Sequence, residues 1–416
     1  MTTRDVVIDM VKKAQPPIHG GCCIYRVPFD LRKVNEDAYT PKLVSIGPFH
    51  HNLPRLQNMQ RYKLSYCKAF LERTEASSEK LIQYIEDLEP NFRGCYSHTL
   101  DFSWEELVKI IFVDSCFIFE LFWKAEQDDR KSSEDKAFIF NRSVAETISL
   151  DLLLLENQLP FFVLENLYYM CFHTESVDTS FVELLTDYFD VSSDWIDFSS
   201  ENIKISHFTD LLRTCVLPHP SKERPFRDEE FVKHLPSATE LLEGGVEFKV
   251  NTEEGKWLLD LTFSRKVLEI PQLIVQDRTE LVFRNIMALE QLHYSYETYV
   301  TDYVFVMDLL INTSKDVDIL TQKGVLLNYL GDSDSVANLF NGLCKNIFFV
   351  NFNSQYLELC KDLNNFHRNA FNKLKSTLRR DYCKGPWQTA ASIAAIILLI
   401  LSVIQTICSI LQVVQQ

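Results

Sequence analysis

From Trp387 to Val414 the chain runs 28 positions without a charged side chain, and no other feature narrows its possibilities as sharply. About fourteen of those positions are Ile, Leu or Val. Some twenty residues, at ~1.5 Å each, cross a hydrocarbon layer ~30 Å thick. Trp387 stands where an interfacial aromatic is expected, Arg379, Arg380 and Lys384 precede it, and the uncharged Gln415 and Gln416 follow. A Lys/Arg excess on the N-terminal side places that side in the cytosol. The expectation is a single-pass, tail-anchored membrane protein with a cytosolic body; the other reading is a buried C-terminal helix. Ala391, Ala395, Ser402, Gln405, Ser409 and Gln412 fall on one stripe at spacings of three and four, interrupted at Leu398. Small and polar side chains on one face let helices approach and hydrogen-bond in lipid, so the stripe suggests self-association or pairing with another single-span protein.

A second greasy stretch, "DLLLLENQLPFFVLENLYYM" from Asp151 to Met170, reads differently. Its apolar residues favour insertion by roughly 3–6 kcal/mol in all, whereas Asp151, Glu156 and Glu165 oppose it at roughly 2.5–3.5 kcal/mol each near a span's centre. Pro160 disfavours helical geometry at Leu159. We expect a helix ending near Gln158 and a new one begun by Pro160, both within a large core.

The net charge of −16 argues against a nucleic-acid-binding body, because phosphate contact needs clustered Lys and Arg. From Lys361 onward the balance is about +5, leaving about −21 before it. Lys373, Lys375, Arg379, Arg380 and Lys384 therefore form a basic stem where anionic lipid attracts each by about 1 kcal/mol; a solvated helix end is the plainer alternative. The 11 cysteines show no C-x-x-C spacing, which fits buried thiols in a reducing compartment. The first 17 residues hold no continuous apolar run, so no secretory signal is visible.

Along the body, Pro28, Pro41 and Pro48 imply extended segments and turns before a helix over "RLQNMQRYKLSYCKAFLERTE". Ser103 and Glu106 have capping-box spacing ahead of "WEELVKIIFVDSCFIFELFWK". Residues 126–136 are a charged loop, and "LPHPSKERPFRDEEF" is the best linker. "VEFKV", "WLLDLTF" and "VLEIPQLIV" carry the strand signature, after which helices return. The fold class is thus mainly α with a small β element (α+β): a large helical globular body over 1–360, a sub-boundary near 218–236, a stem over 361–386 and one C-terminal transmembrane helix over 387–414.

No G-x-S-x-G, H-E-x-x-H, phosphate loop or G-x-G-x-x-G is present. Cys22, Cys23, His50 and His51 are zinc-ligand types at the wrong spacing, so neither a metal nor a cofactor is expected. Acids embedded in apolar runs remain: Asp114, Glu120, Glu156, Glu165, Glu269, Glu290 and Asp308. Desolvation raises a carboxyl's pKa and makes general acids, so Asp114, Glu156 and Glu165 are the catalytic candidates for a membrane-anchored hydrolase or transferase. Buried acids also pair with buried cations, and Arg26, Arg61, Arg213 and Arg284 occupy similar contexts.

The blocks "CCIYRVPFDLRKVNEDAYTPKLVSIGPFHH", "VDSCFIFELF", "DLLLLENQLPFFVLENLY", "SATELLEGGVEFK", "LEIPQLIVQDRTELVFRNIMALEQ", "TDYVFVMDLLI", "VANLFNGL" and the apolar tail run nearly end to end. In them the chain closely resembles the plant family called domain of unknown function 247. The resemblance implies a membrane-associated plant protein with no established enzymatic activity; some members are linked to pollen-side self-incompatibility in grasses. The expected function is therefore a membrane-tethered, non-enzymatic recognition or signalling protein, its partners membrane lipid and a second protein or copy met through the span, with no nucleic acid.

Overall fold

The structure is a computed structural model that describes residues 3–12, 20–74, 76–130, 142–172, 180–191, 203–217, 224–251, 258–369 and 386–414. The chain divides into two compact units, each assembled from separated segments: Met1–Glu229 with Gln276–Phe305 and Asn341–Phe352, and Glu230–Val275 with Val306–Phe340 and Asn353–Gln416.

The first unit is helical. Its longest element, Trp104–Arg130, starts at the expected capping box: the Ser103 amide donates to Glu106 at 2.8 Å and the Glu106 amide to the Ser103 hydroxyl at 3.2 Å. Leu107, Ile111, Phe117, Ile118 and Leu121 are buried on it. Helices Gln60–Thr74, Ser78–Glu86, Phe161–Phe172 and Phe181–Tyr188 pack against it. Aromatic rings lock the seam, with Phe119 edge-on to Tyr168 and Phe181 at centroid distances of 5.9 and 5.8 Å. Residues 20–50 hold no long helix, in keeping with their prolines.

The segment after Asp151 corrects the sequence reading. Helix Arg142–Asp151 stops seven residues before Gln158, Leu152–Pro160 is turn and coil, and the next helix is Phe161–Phe172. Hydrophobicity cannot distinguish a buried helix from a buried loop when the loop's polar side chains satisfy backbone groups, as they do here.

The second unit carries the sheets. Strand Glu247–Asn251 pairs in parallel with Val267–Pro271, which pairs antiparallel with Thr262–Ser264. Leu268 and Ile270 are fully buried while Val267 and Glu269 are not, the alternation of a half-buried strand. Among the described residues of "WLLDLTF", Thr262 and Phe263 join the ladder. Leu273–Val275 pairs in parallel with Leu326–Asn328.

The last helix, Pro386–Val414, is 29 residues long. Its apolar residues Ile393, Ile396, Ile397, Leu398, Leu399, Ile400, Leu401, Val403 and Ile404 are each 50% to 68% exposed. Among the described residues no helix is long and apolar enough to cross a membrane. Side chains of this helix are described only between Ala390 and Thr406, fewer positions than the roughly 20 a bilayer asks for. The span expected over 387–414 is thus unsupported by the described residues. Lys373, Lys375, Arg379, Arg380 and Lys384 lie outside them, as do positions 131–136 of the expected charged loop, whose first residues 126–130 instead complete the helix Trp104–Arg130.

Candidate functional site

Four buried polar residues, Asp151, Glu156, Asn157 and Gln158, organise the first unit. The Asp151 carboxylate accepts the amides of Lys42, Leu43 and Val44 at 2.8, 2.7 and 2.9 Å. Burial outweighs those bonds and pushes its carboxyl up to about 6. Asn157 accepts the Ile46 amide at 2.7 Å and donates to the carbonyls of Val44 and Asp151. Gln158 donates to the carbonyls of Leu152 and Leu154 and accepts the Phe208 amide at 3.0 Å. Backbone groups that a helix would have paired internally are paired by side chains instead, which is how this stretch stays buried without being helical.

Glu156 is the electrostatic centre. It accepts the Val27 amide at 2.7 Å, the Arg26 guanidinium at 2.9 Å and the Arg32 guanidinium. His50 Nε2 is 3.2 Å from its second oxygen, close but poorly aligned for a hydrogen bond. Burial opposes its charge, but the His50 contact, the Arg32 guanidinium and the Val27 amide take the carboxyl down to about 2. Burial pulls His50 below its ordinary value, so it is neutral at pH 7. A carboxylate so held is a clamp, not a proton donor.

Asp114, the second catalytic candidate, is ion-paired with the fully buried Lys63 and accepts the Gly47 amide at 2.9 Å. Burial raises its pKa against the pull of Lys63. Glu120 bonds Arg73 at 2.9 Å, and Glu290 bonds Arg213 at 3.1 Å and the Thr301 amide at 2.8 Å. Glu269 meets the Thr262 hydroxyl at 3.4 Å, Arg284 pairs with Glu280, and Arg61 lies over the Tyr62 ring. Asp114 and Glu156 are thus each committed to a cation of their own rather than to each other.

Glu165, the third candidate, has a different environment. It lines a cavity of about 450 Å³ with Cys22, Cys23, Cys95, Lys204 and His293. Its pKa is raised by burial alone, and neither it nor Lys204 has an ion pair among the described residues. His293 Nδ1 lies 2.9 Å from the Tyr25 hydroxyl, and burial lowers its pKa. Chemically the cavity offers one acid, one cation, thiols and a neutral imidazole against the rings of Phe161 and Phe162. Among the described residues no three His, Cys, Asp or Glu side chains are arranged to hold a metal ion.

Of the stripe, Ala391, Ala395, Ser402 and Gln405 are exposed on the last helix, which continues through Ser409 and Gln412. Lys63, Arg32, Cys95, Lys204 and His293 escaped the sequence reading. Lys63 had a legible signal: Met59, Tyr66, Cys67 and Phe70 surround it at spacings of three, four and seven and are all buried, so a lysine among them needs a buried anion.

A family model described as a plant protein of unknown function, DUF247, matches residues 24–401. The chain is 28% identical to UPF0481 protein At3g47200 of Arabidopsis thaliana, over 94% of this chain and 87% of the relative. It is 24% identical to a second UPF0481 protein of that plant, At3g02645, over 92% of this chain and 89% of the relative. No solved structure matches.

Proposed function

Because the chain belongs to the plant DUF247 family, we propose that it is a membrane-tethered, non-enzymatic recognition or signalling protein, held by helix Pro386–Val414 with its body in the cytosol. One observation carries the tether: the large apolar side chains described on that helix are exposed, and no charged residue lies between Trp387 and Val414. Leaving so many Ile and Leu side chains in water forfeits about 1.5–3 kcal/mol each relative to burial, and lipid is the surrounding that restores it. The stem residues Lys373, Lys375, Arg379, Arg380 and Lys384 meet anionic headgroups in this reading, and their position before the helix supports the cytosolic placement. The stripe Ala391, Ala395, Ser402, Gln405, Ser409, Gln412 provides the face for a second copy or another single-span partner.

Recognition rather than catalysis is favoured by the engagement of Asp114 and Glu156 in ion pairs. A hydrolase or transferase reading rests on Glu165, which lines a cavity, has its pKa raised by burial and has no ion pair among the described residues. Protease treatment of sealed microsomes, with epitope tags at both ends, tests the proposal. Digestion of the body from the cytosolic side agrees with it; full protection of the body overturns the orientation.

A further inference from the structure

Two segments far apart in sequence run side by side at the wall of the 450 Å³ cavity. Ile24 and Tyr96 form a parallel bridge, and the amides of Cys23 and Ile24 both donate to the Cys95 carbonyl at 2.9 Å. Cys23 and Cys95 are therefore opposite one another in register. Paired strands lie ~4.8 Å apart, inside the ~4.4–6.8 Å Cα separation a disulfide accepts. Both thiols line the cavity, and Cys95 Sγ donates to the Asn91 carbonyl at 3.2 Å.

Cys67 and Cys116 are a second pair of buried thiols, on the packed helices Gln60–Thr74 and Trp104–Arg130. Neither borders that cavity. The fold thus contains a thiol pair at the cavity wall and a second buried pair away from that cavity.

We propose that Cys23 and Cys95 are a reversible oxidation site, converted from dithiol to disulfide by hydrogen peroxide entering the cavity. The Cys95 sulfur attacks one peroxide oxygen; the O–O bond breaks and hydroxide leaves as water, giving Cys95 sulfenic acid. The Cys23 sulfur then attacks the Cys95 sulfur, the S–O bond breaks, and a second water leaves with the Cys23 proton. Two thiols and one peroxide become one disulfide and two waters; the two electrons go to peroxide, and a dithiol reductant reverses the change by exchange. The products are the same if Cys23 attacks the peroxide first and Cys95 resolves the sulfenic acid. This site goes beyond the tether and stands whichever way the membrane proposal falls.

The test uses the purified full-length chain in detergent micelles, treated with hydrogen peroxide, denatured, alkylated and mapped by mass spectrometry without reduction. A Cys23–Cys95 linked peptide is expected, forming at least roughly tenfold faster than any Cys67–Cys116 link, as access dictates, and disappearing with dithiothreitol. Cys22→Ser retains the link and Cys95→Ser abolishes it. Free Cys23 and Cys95 after treatment, a link from Cys22 in their place, or equal oxidation of Cys67 and Cys116 each overturns the proposal. The wild-type map decides the matter even where a variant fails to fold.

Discussion

The Glu156 carboxylate and the Arg26 guanidinium, 130 positions apart in sequence, meet at 2.9 Å with the acid fully shielded from solvent. Arg32 closes on the other oxygen, so one buried side chain anchors two points of the extended N-terminal segment. Removing a partner from such a cluster strands charge in a low-dielectric interior.

The pH dependence follows from the depressed Glu156 carboxyl, about 2 in the fold against an ordinary 4.5. Its stabilising contribution, about 3 kcal/mol at 1.36 kcal/mol per pKa unit, is complete above pH 4.5 and fades as pH falls toward 2. Urea unfolding of the Glu156→Gln chain, followed across pH 2–5, should show the acid-side slope reduced by that amount. An unchanged slope contradicts the clamp.

Lys63 and Asp114 should behave as a unit. Lys63→Met leaves Asp114 buried and unpaired, and unfolding measurements should show a loss of about 3–5 kcal/mol. Adding Asp114→Leu should recover at least half of it, because a well-packed apolar pair replaces two desolvated charges. Additive losses in the double variant would count against the pairing.

Gly47 is required where it stands. Its φ is +69°, and an added Cβ would meet the Gln158 carbonyl oxygen at 2.4 Å, an atom that also accepts the Tyr96 hydroxyl. Gly47→Ala combines left-handed strain with a backbone clash and should cost more than about 2 kcal/mol. Gly331, at φ +93° with nothing near its missing Cβ, is the control; Gly331→Ala carries the strain alone and should cost about 1 kcal/mol. Equal losses in thermal unfolding would remove the clash from the explanation.

Local signals were legible in the chain where they act locally. The Ser103 and Glu106 capping box, the helices following Gln276 and Thr298, and the strand alternation around Leu268 all follow from spacing and burial within a few residues. The loop Leu152–Pro160 was not legible, since its conformation is fixed by Asp151, Asn157 and Gln158 bonding to backbone that lies elsewhere in sequence. The acids were identifiable as buried, but their partners were not: Arg26 meets Glu156 through a segment whose Val27 amide bonds the same acid and whose Arg26 amide bonds Ser97, contacts between positions far apart in sequence. The cavity around Glu165 gathers residues from positions 20 to 293, a convergence that periodicity does not encode.

Alkaline carbonate extraction of microsomes carrying the full-length chain, beside a chain ending before Pro386, tests the membrane tether most directly. The account predicts that the full-length chain stays in the pellet and that the shortened chain moves to the supernatant. Release of the full-length chain by carbonate, or retention of both, would contradict it.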